Sequence, residues 1–136
     1  MKFGLDVHGV VDTHPEAFRI FAEKMIKEGH EIHIVTGQEE KNVEPLVKKL
    51  EVPYTHFYSI VDYHLATGTS MWLDKGTWWM DTVTWQSSKG LYCKYRGLDV
   101  LIDNSIEYKF YMPDTCKFLF VEADTDIDLL LKSINT

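Results

Sequence analysis

The sequence predicts an α/β fold in three layers, with helices on both faces of a central parallel sheet. Three observations carry that prediction. Short apolar runs, "KFGLDV", "EIHIV", "LDVLI" and "KFLFV", have the length of buried strands. Stretches with apolar residues at helical spacing stand near them. The two kinds alternate through the first half of the chain, the pattern of parallel strands joined by covering helices.

Taken in order, Lys2 to Val7 reads as a strand, apolar up to Asp6. Thr13-His14-Pro15-Glu16 marks a helix start, with Thr13 and Glu16 at capping-box spacing and Pro15 in the first turn. Phe18, Phe21, Ala22 and Met25 form the apolar stripe of that helix, and Gly29 stops it. "EIHIV" is the next strand and ends at Thr36-Gly37. A second helix is expected from about Glu39 to Leu50, with Val43, Leu46, Val47 and Leu50 inward and Pro53 closing it. The stretch 65–86, "LATGTSMWLDKGTWWMDTVTWQ", contains all four Trp residues. It shows no helical period, favours strands through Thr, Val and Trp, and has turn signals at Gly68 and Gly76. It reads as an inserted hairpin or structured loop. A helix over 88–95, the strand ending at Asp103, the strand "KFLFV" and a helix from about Asp126 to Ile134 complete the chain.

The 136 residues suit one domain over 1–136. Lys and Arg total 14 against 21 Asp and Glu, a formal charge of −7, which argues against non-specific binding of duplex nucleic acid. Cys93 and Cys116 lack CxxC spacing, so free thiols and a cytoplasmic setting are expected. No signal-peptide pattern and no apolar run of membrane-spanning length is visible, so no membrane partner is expected.

Ligands of an open parallel sheet bind beyond the carboxyl ends of its strands. Asp6, Thr36 and Asp103-Asn104 all stand at such ends. Lys89, at the expected start of its helix, would reach the same edge. Two carboxylates, a hydroxyl and an ammonium group suit phosphoryl chemistry, which rests on positioning and charge stabilisation. Asp6 and Asp103 would offer hard oxygen ligands to Mg²⁺.

The ordered set "FGLDVHGVVD", "HIVTG", a helix-borne lysine and "VLIDNS" resembles the haloacid dehalogenase superfamily of phosphatases and related enzymes. The likeness covers most of the chain apart from the Trp-rich insertion. It implies a three-layer, Rossmann-like fold, Asp6 as the nucleophile that forms an aspartyl-phosphate, and the backbone carbonyl of His8 in the Mg²⁺ shell. It further implies Thr36 and the Gly37 N–H on the phosphate oxygens, a lysine bridging nucleophile and phosphate, and Asp103 completing the metal site.

Two residues depart from the family pattern. His8 stands where an acid–base Asp is usual, and an imidazole, titrating ordinarily at about 6.5, suits both proton transfers. Asn104 replaces a common second carboxylate and can still bond a metal-bound water. Lys89 and Lys94 both qualify as the motif lysine. A first-turn Lys89 would point toward the strand ends and Lys94 toward the opposite end of the sheet. Asp12 reads either as a substrate contact or as a turn residue. His30 and His33, three apart on a strand, face opposite sides and make no shared metal site, while His56 and His64 have no evident partner.

The Trp cluster reads either as core or interface packing, including a contact between copies of the chain, or as a minimal lid that stacks on a base or sugar. The leading expectation is a Mg²⁺-dependent phosphatase acting on a small phosphomonoester such as a nucleotide. The alternative is a catalytically weak phosphate- or nucleotide-binding module. A phospho-acceptor receiver domain also uses Asp, Thr and Lys, but its acceptor follows the third strand and an acidic pair follows the first. That order is not found here.

Overall fold

Alternation of side chains along the strands decides the layers. The computed structural model describes residues 1–135. Its elements are β1 (Lys2–Leu5), α1 (Pro15–Lys27), β2 (Glu31–Thr36), α2 (Glu40–Lys49), β3 (His56–Ser59), α3 (Ile60–Thr67), β4 (Trp72–Asp74), β5 (Thr77–Trp79), α4 (Thr82–Arg96), β6 (Val100–Asp103), β7 (Lys117–Phe120) and α5 (Ile127–Lys132). Phe3, Leu5, Ile32, Ile34, Val100 and Ile102 point to one face and bury against Phe18, Phe21, Met25, Val43, Val47 and Ile127 of α1, α2 and α5. The intervening Val35 and Leu101, with Tyr58, point to the other face, where Cys93 of α4 packs with them. Full burial of Phe18, Ile32 or Leu101 stabilises the fold by about 1.5–3 kcal/mol each relative to exposure.

The five strands are all parallel, in the order β3-β2-β1-β6-β7. This is a Rossmann-like α/β arrangement. From β1 the chain steps outward through β2 and β3, then returns to the other side of β1 with β6. The crevice between the carboxyl ends of β1 and β6 is therefore the topological switch point, where ligands bind in such sheets. A flavodoxin-like receiver would instead place its third strand beside the first.

Four expectations need correction. Thr13 does not cap α1: its hydroxyl donates to the Val10 carbonyl at 3.0 Å, and His14 is the N-cap without a side-chain bond. The stretch after Pro53, to which no element was assigned before the insertion at 65, contains β3 and most of α3. Aromatic residues open this segment, and Ser59 accepts a bond from the Asp62 N–H at 3.1 Å as the cap of α3. The inserted hairpin is thus only β4 and β5, with Trp72 opposite Trp79. Finally, α4 begins at Thr82 rather than at Ser88, because Asp81 caps it by accepting the Thr84 N–H at 3.1 Å. Three early β-branched residues had masked that start. Trp85 consequently belongs to a helix facing the sheet.

A short helical turn over Ile106–Tyr111 crosses α4 at Gly90. A Cβ at Gly90 would overlap the Tyr111 carbonyl oxygen. Gly90→Ala should therefore lower stability by about 1–3 kcal/mol in chemical denaturation, since backbone on both sides must shift. No helix among the described residues is long and apolar enough to cross a membrane.

Candidate active site

The switch-point crevice holds a buried charge cluster. Asp6 follows β1, and its N–H extends the ladder to β6 by donating to the Ile102 carbonyl at 3.0 Å. Asp103 ends β6 and is fully buried. Lys89 reaches both, with Nζ 3.1 Å from Asp6 Oδ1 and 2.7 Å from Asp103 Oδ2. The second Asp103 oxygen, Oδ1, accepts the Ser105 N–H at 3.0 Å. The ring of Tyr108 lies 4.6 Å from the ammonium and covers its remaining side.

Lys89 lies in the middle of α4, not in the first turn, and it reaches the crevice from the helix face that also presents Trp85, both meeting Tyr108. The helix starts six residues before the expected Ser88, so a first-turn position is not what brings Lys89 rather than Lys94 to the crevice. Lys94 is exposed.

Two carboxylates against one ammonium leave the cluster with an excess of negative charge. Burial alone would pull the Lys89 ammonium down, but Asp6 and Asp103 more than offset this and raise it above its ordinary value. Burial pushes the Asp103 carboxyl up to about 6, against the pull of Lys89. A cluster of this kind is short of positive charge.

The first motif bends through a wide turn over Val7–Val11. Gly9 sits there at φ 84°, and a Cβ would collide with the Asn104 amide. With its amide oriented to satisfy both acceptors, Asn104 donates to Asp6 Oδ2 at 2.9 Å and to the His8 carbonyl at 3.2 Å. Asp6, Asp103 and the His8 carbonyl thus form a set of hard oxygen donors around unbalanced negative charge, which fits Mg²⁺.

The His8 side chain bonds to none of the charged groups of this cluster. It is 56% exposed, and its Nδ1 lies 3.3 Å from Asp12 Oδ2. Asp12 also accepts the Gly9 N–H at 2.8 Å, so it both pins the turn and orients the imidazole. Thr36 is buried at the end of β2, where its hydroxyl oxygen accepts the Gln38 N–H at 3.3 Å. Gly37 follows, covered by the indole of Trp85. The structure therefore brings Asp6, Lys89, Asp103, Asn104 and the His8 backbone into one bonded cluster. Thr36 and Gly37 share the strand-end rim without bonding to it.

One participant was missed in the sequence, Tyr108, which covers Lys89 from the turn after β6 and which no local pattern distinguishes from an ordinary aromatic. Trp85, one of the four Trp residues read as packing or as a lid, donates its indole N–H to the Tyr108 hydroxyl at 3.0 Å. Trp85 also lines a cleft of about 390 Å³ with Trp78, Trp79, Gln38 and Asn42. A second cleft of about 510 Å³ opens beside Gly9 and Asn104. No family model matches the chain, and no curated protein matches it.

Proposed function

We propose that the chain is a Mg²⁺-dependent phosphomonoesterase of the haloacid dehalogenase type, acting through an aspartyl-phosphate on Asp6. The observation that carries this reading is the buried Asp6–Lys89–Asp103 cluster at the switch point, with the His8 carbonyl facing the same crevice. Bound Mg²⁺ would supply positive charge to the phosphate oxygens, held by Asp6, Asp103 and the His8 carbonyl.

Lys89 holds the Asp6 carboxylate in place and spreads its charge toward the incoming phosphoryl group. An Asp6 oxygen attacks phosphorus while the bond to the leaving oxygen breaks, and His8 gives that oxygen a proton. Water then attacks the phosphorus of the aspartyl-phosphate as His8 takes its proton back, which releases phosphate and restores Asp6. Thr36 and the Gly37 N–H bind phosphate oxygens. Asp12, bonded to Nδ1, leaves Nε2 of His8 for the proton transfers.

A nucleotide is the favoured substrate. Trp78, Trp79 and Trp85 offer faces for stacking, while Gln38 and Asn42 offer amide groups to a base edge, in a cleft that adjoins Gly37. The hairpin then acts as a minimal lid. Its exposed Trp72, Leu73 and Trp79 also support a contact between copies of the chain. The buried free thiols Cys93 and Cys116 support a reducing, cytoplasmic setting.

Purified protein with Mg²⁺ should release phosphate from nucleoside monophosphates and from an aryl phosphate, and chelation should stop it. No release from a broad phosphomonoester panel would end this reading. His8→Ala should lower the rate by about 10²–10⁴-fold. The exposure of His8 and its bond to Asp12 alone favour the second reading, a weak phosphate-binding module. A large gain of activity in His8→Asp would support that module, whereas a loss would identify His8 as the working acid–base.

A further inference from the structure

We infer that Glu31, His33 and His56 form a Zn²⁺-type metal site at the end of the sheet opposite the crevice. Glu31 and His33 are two apart on β2 and so share a face, and His33 lies directly across from His56 on β3. The two rings stack at 4.2 Å and within 7° of parallel, and because imidazole lone pairs lie in the ring planes the partly exposed His56 must turn out of the stack for both rings to meet one ion beside Glu31. Glu31 Oε1 lies 2.8 Å from His33 Nε2 and 3.6 Å from His56 Nδ1. Donors around a tetrahedral Zn²⁺ with bonds of about 2.1 Å are about 3.4 Å apart, so these separations bracket the requirement.

The hydrogen-bond partners of the two histidines suit coordination. Burial keeps His33 below its ordinary value despite the Glu31 carboxylate, and the bond from His33 keeps Glu31 low. His33 Nδ1 is 2.6 Å from the Tyr92 hydroxyl, a group that can accept the ring proton when Nε2 binds metal. Thr55 Oγ1 lies 2.8 Å from His56 Nδ1 and also donates to the Ile32 carbonyl, so it can give up the histidine without losing its own partner. Lys2 and Arg96 are the nearby cations that oppose a metal ion here.

Two imidazoles and one carboxylate select Zn²⁺ and its first-row neighbours over Mg²⁺. Three protein ligands leave a fourth position, and the adjoining cleft of about 700 Å³, lined in part by His56, Tyr92 and Arg96, gives it access to solvent. The site clamps β2 to β3, and binding there raises stability by mass action. It stands independently of the phosphatase reading.

The test is calorimetric titration of the full chain with Zn²⁺ in excess Mg²⁺, which keeps the carboxylate crevice competed. One Zn²⁺ should bind and raise the Tm. His56→Asn and Glu31→Gln, each checked for folding by circular dichroism, should abolish the binding, and Tyr92→Phe should weaken it by about 10- to 100-fold. Asp6→Asn should leave it intact. Unchanged Zn²⁺ binding in either folded ligand variant, or no Zn²⁺ binding by the parent protein, overturns the inference.

Discussion

Asp6→Asn should abolish phosphate release while leaving the fold at least as stable as the parent. The carboxylate at this position is the proposed nucleophile, and an amide cannot form the acyl-phosphate. A fall of about four orders of magnitude or more is expected when a covalent nucleophile is removed. Stability should move the other way. Asp6 and Asp103 share one buried ammonium, Lys89, and the crevice carries more negative than positive charge. Removing one carboxylate leaves a balanced pair between Lys89 and Asp103. The Tm should therefore hold or rise in the absence of added metal, and its gain on addition of Mg²⁺ should shrink because a ligand is gone. Measuring phosphate release and Tm on the same preparation separates loss of chemistry from loss of structure. Substantial residual turnover in folded Asp6→Asn protein would sink the covalent mechanism.

Lys89→Met should be the most destabilising single change in the crevice. Methionine fills much of the same volume, so packing against Tyr108 is largely kept and the change isolates the charge. Two carboxylates, one fully buried and one with 11% of its side chain exposed, then face each other without a cation. Breaking a buried ion pair by removing one partner costs about 3–5 kcal/mol. That is a large part of the roughly 5–15 kcal/mol that holds a domain of this kind together. A fall in Tm of about 10–20 °C is expected by differential scanning calorimetry. Two further measurements identify the cause. Mg²⁺ should return part of the loss by supplying the missing positive charge. The double change Lys89→Met with Asp103→Asn should be more stable than Lys89→Met alone, because the fully buried carboxylate has gone. If neither restores stability, lost packing against Tyr108 is the cause.

The strand ends were legible because they depend on local pattern. Apolar runs that finish in Asp6, Thr36 and Asp103 announce buried strands, and in a parallel sheet those ends must gather on one rim. Helix boundaries were less legible. The start of α4 rests on one bond from the Asp81 carboxylate, while Thr82, Val83 and Thr84 argue locally for a strand. That misplacement put Lys89 in the first turn, although tertiary packing brings it to the crevice from the middle of the helix. The segment with β3 and α3 was lost between Pro53 and the Trp-rich stretch, because the strand "HFYS" places only two apolar residues between a His and a Ser and so lacks the apolar run that marks the other strands.

By itself the sequence determined the α/β class, the strands that end in polar residues and the chemistry those residues can perform. Each follows from short-range alternation and from the intrinsic properties of carboxylate, hydroxyl and ammonium groups. Only the tertiary structure decided which groups meet. Strand order set Asp6 beside Asp103, and the crossing at Gly90 laid Tyr108 over Lys89. The pairing of β2 with β3 turned Glu31, His33 and His56 into a cluster. The physical reason is common to all three. Strand order and register are fixed by long-range burial and hydrogen bonding between segments far apart in the chain, and no local window of sequence contains both partners.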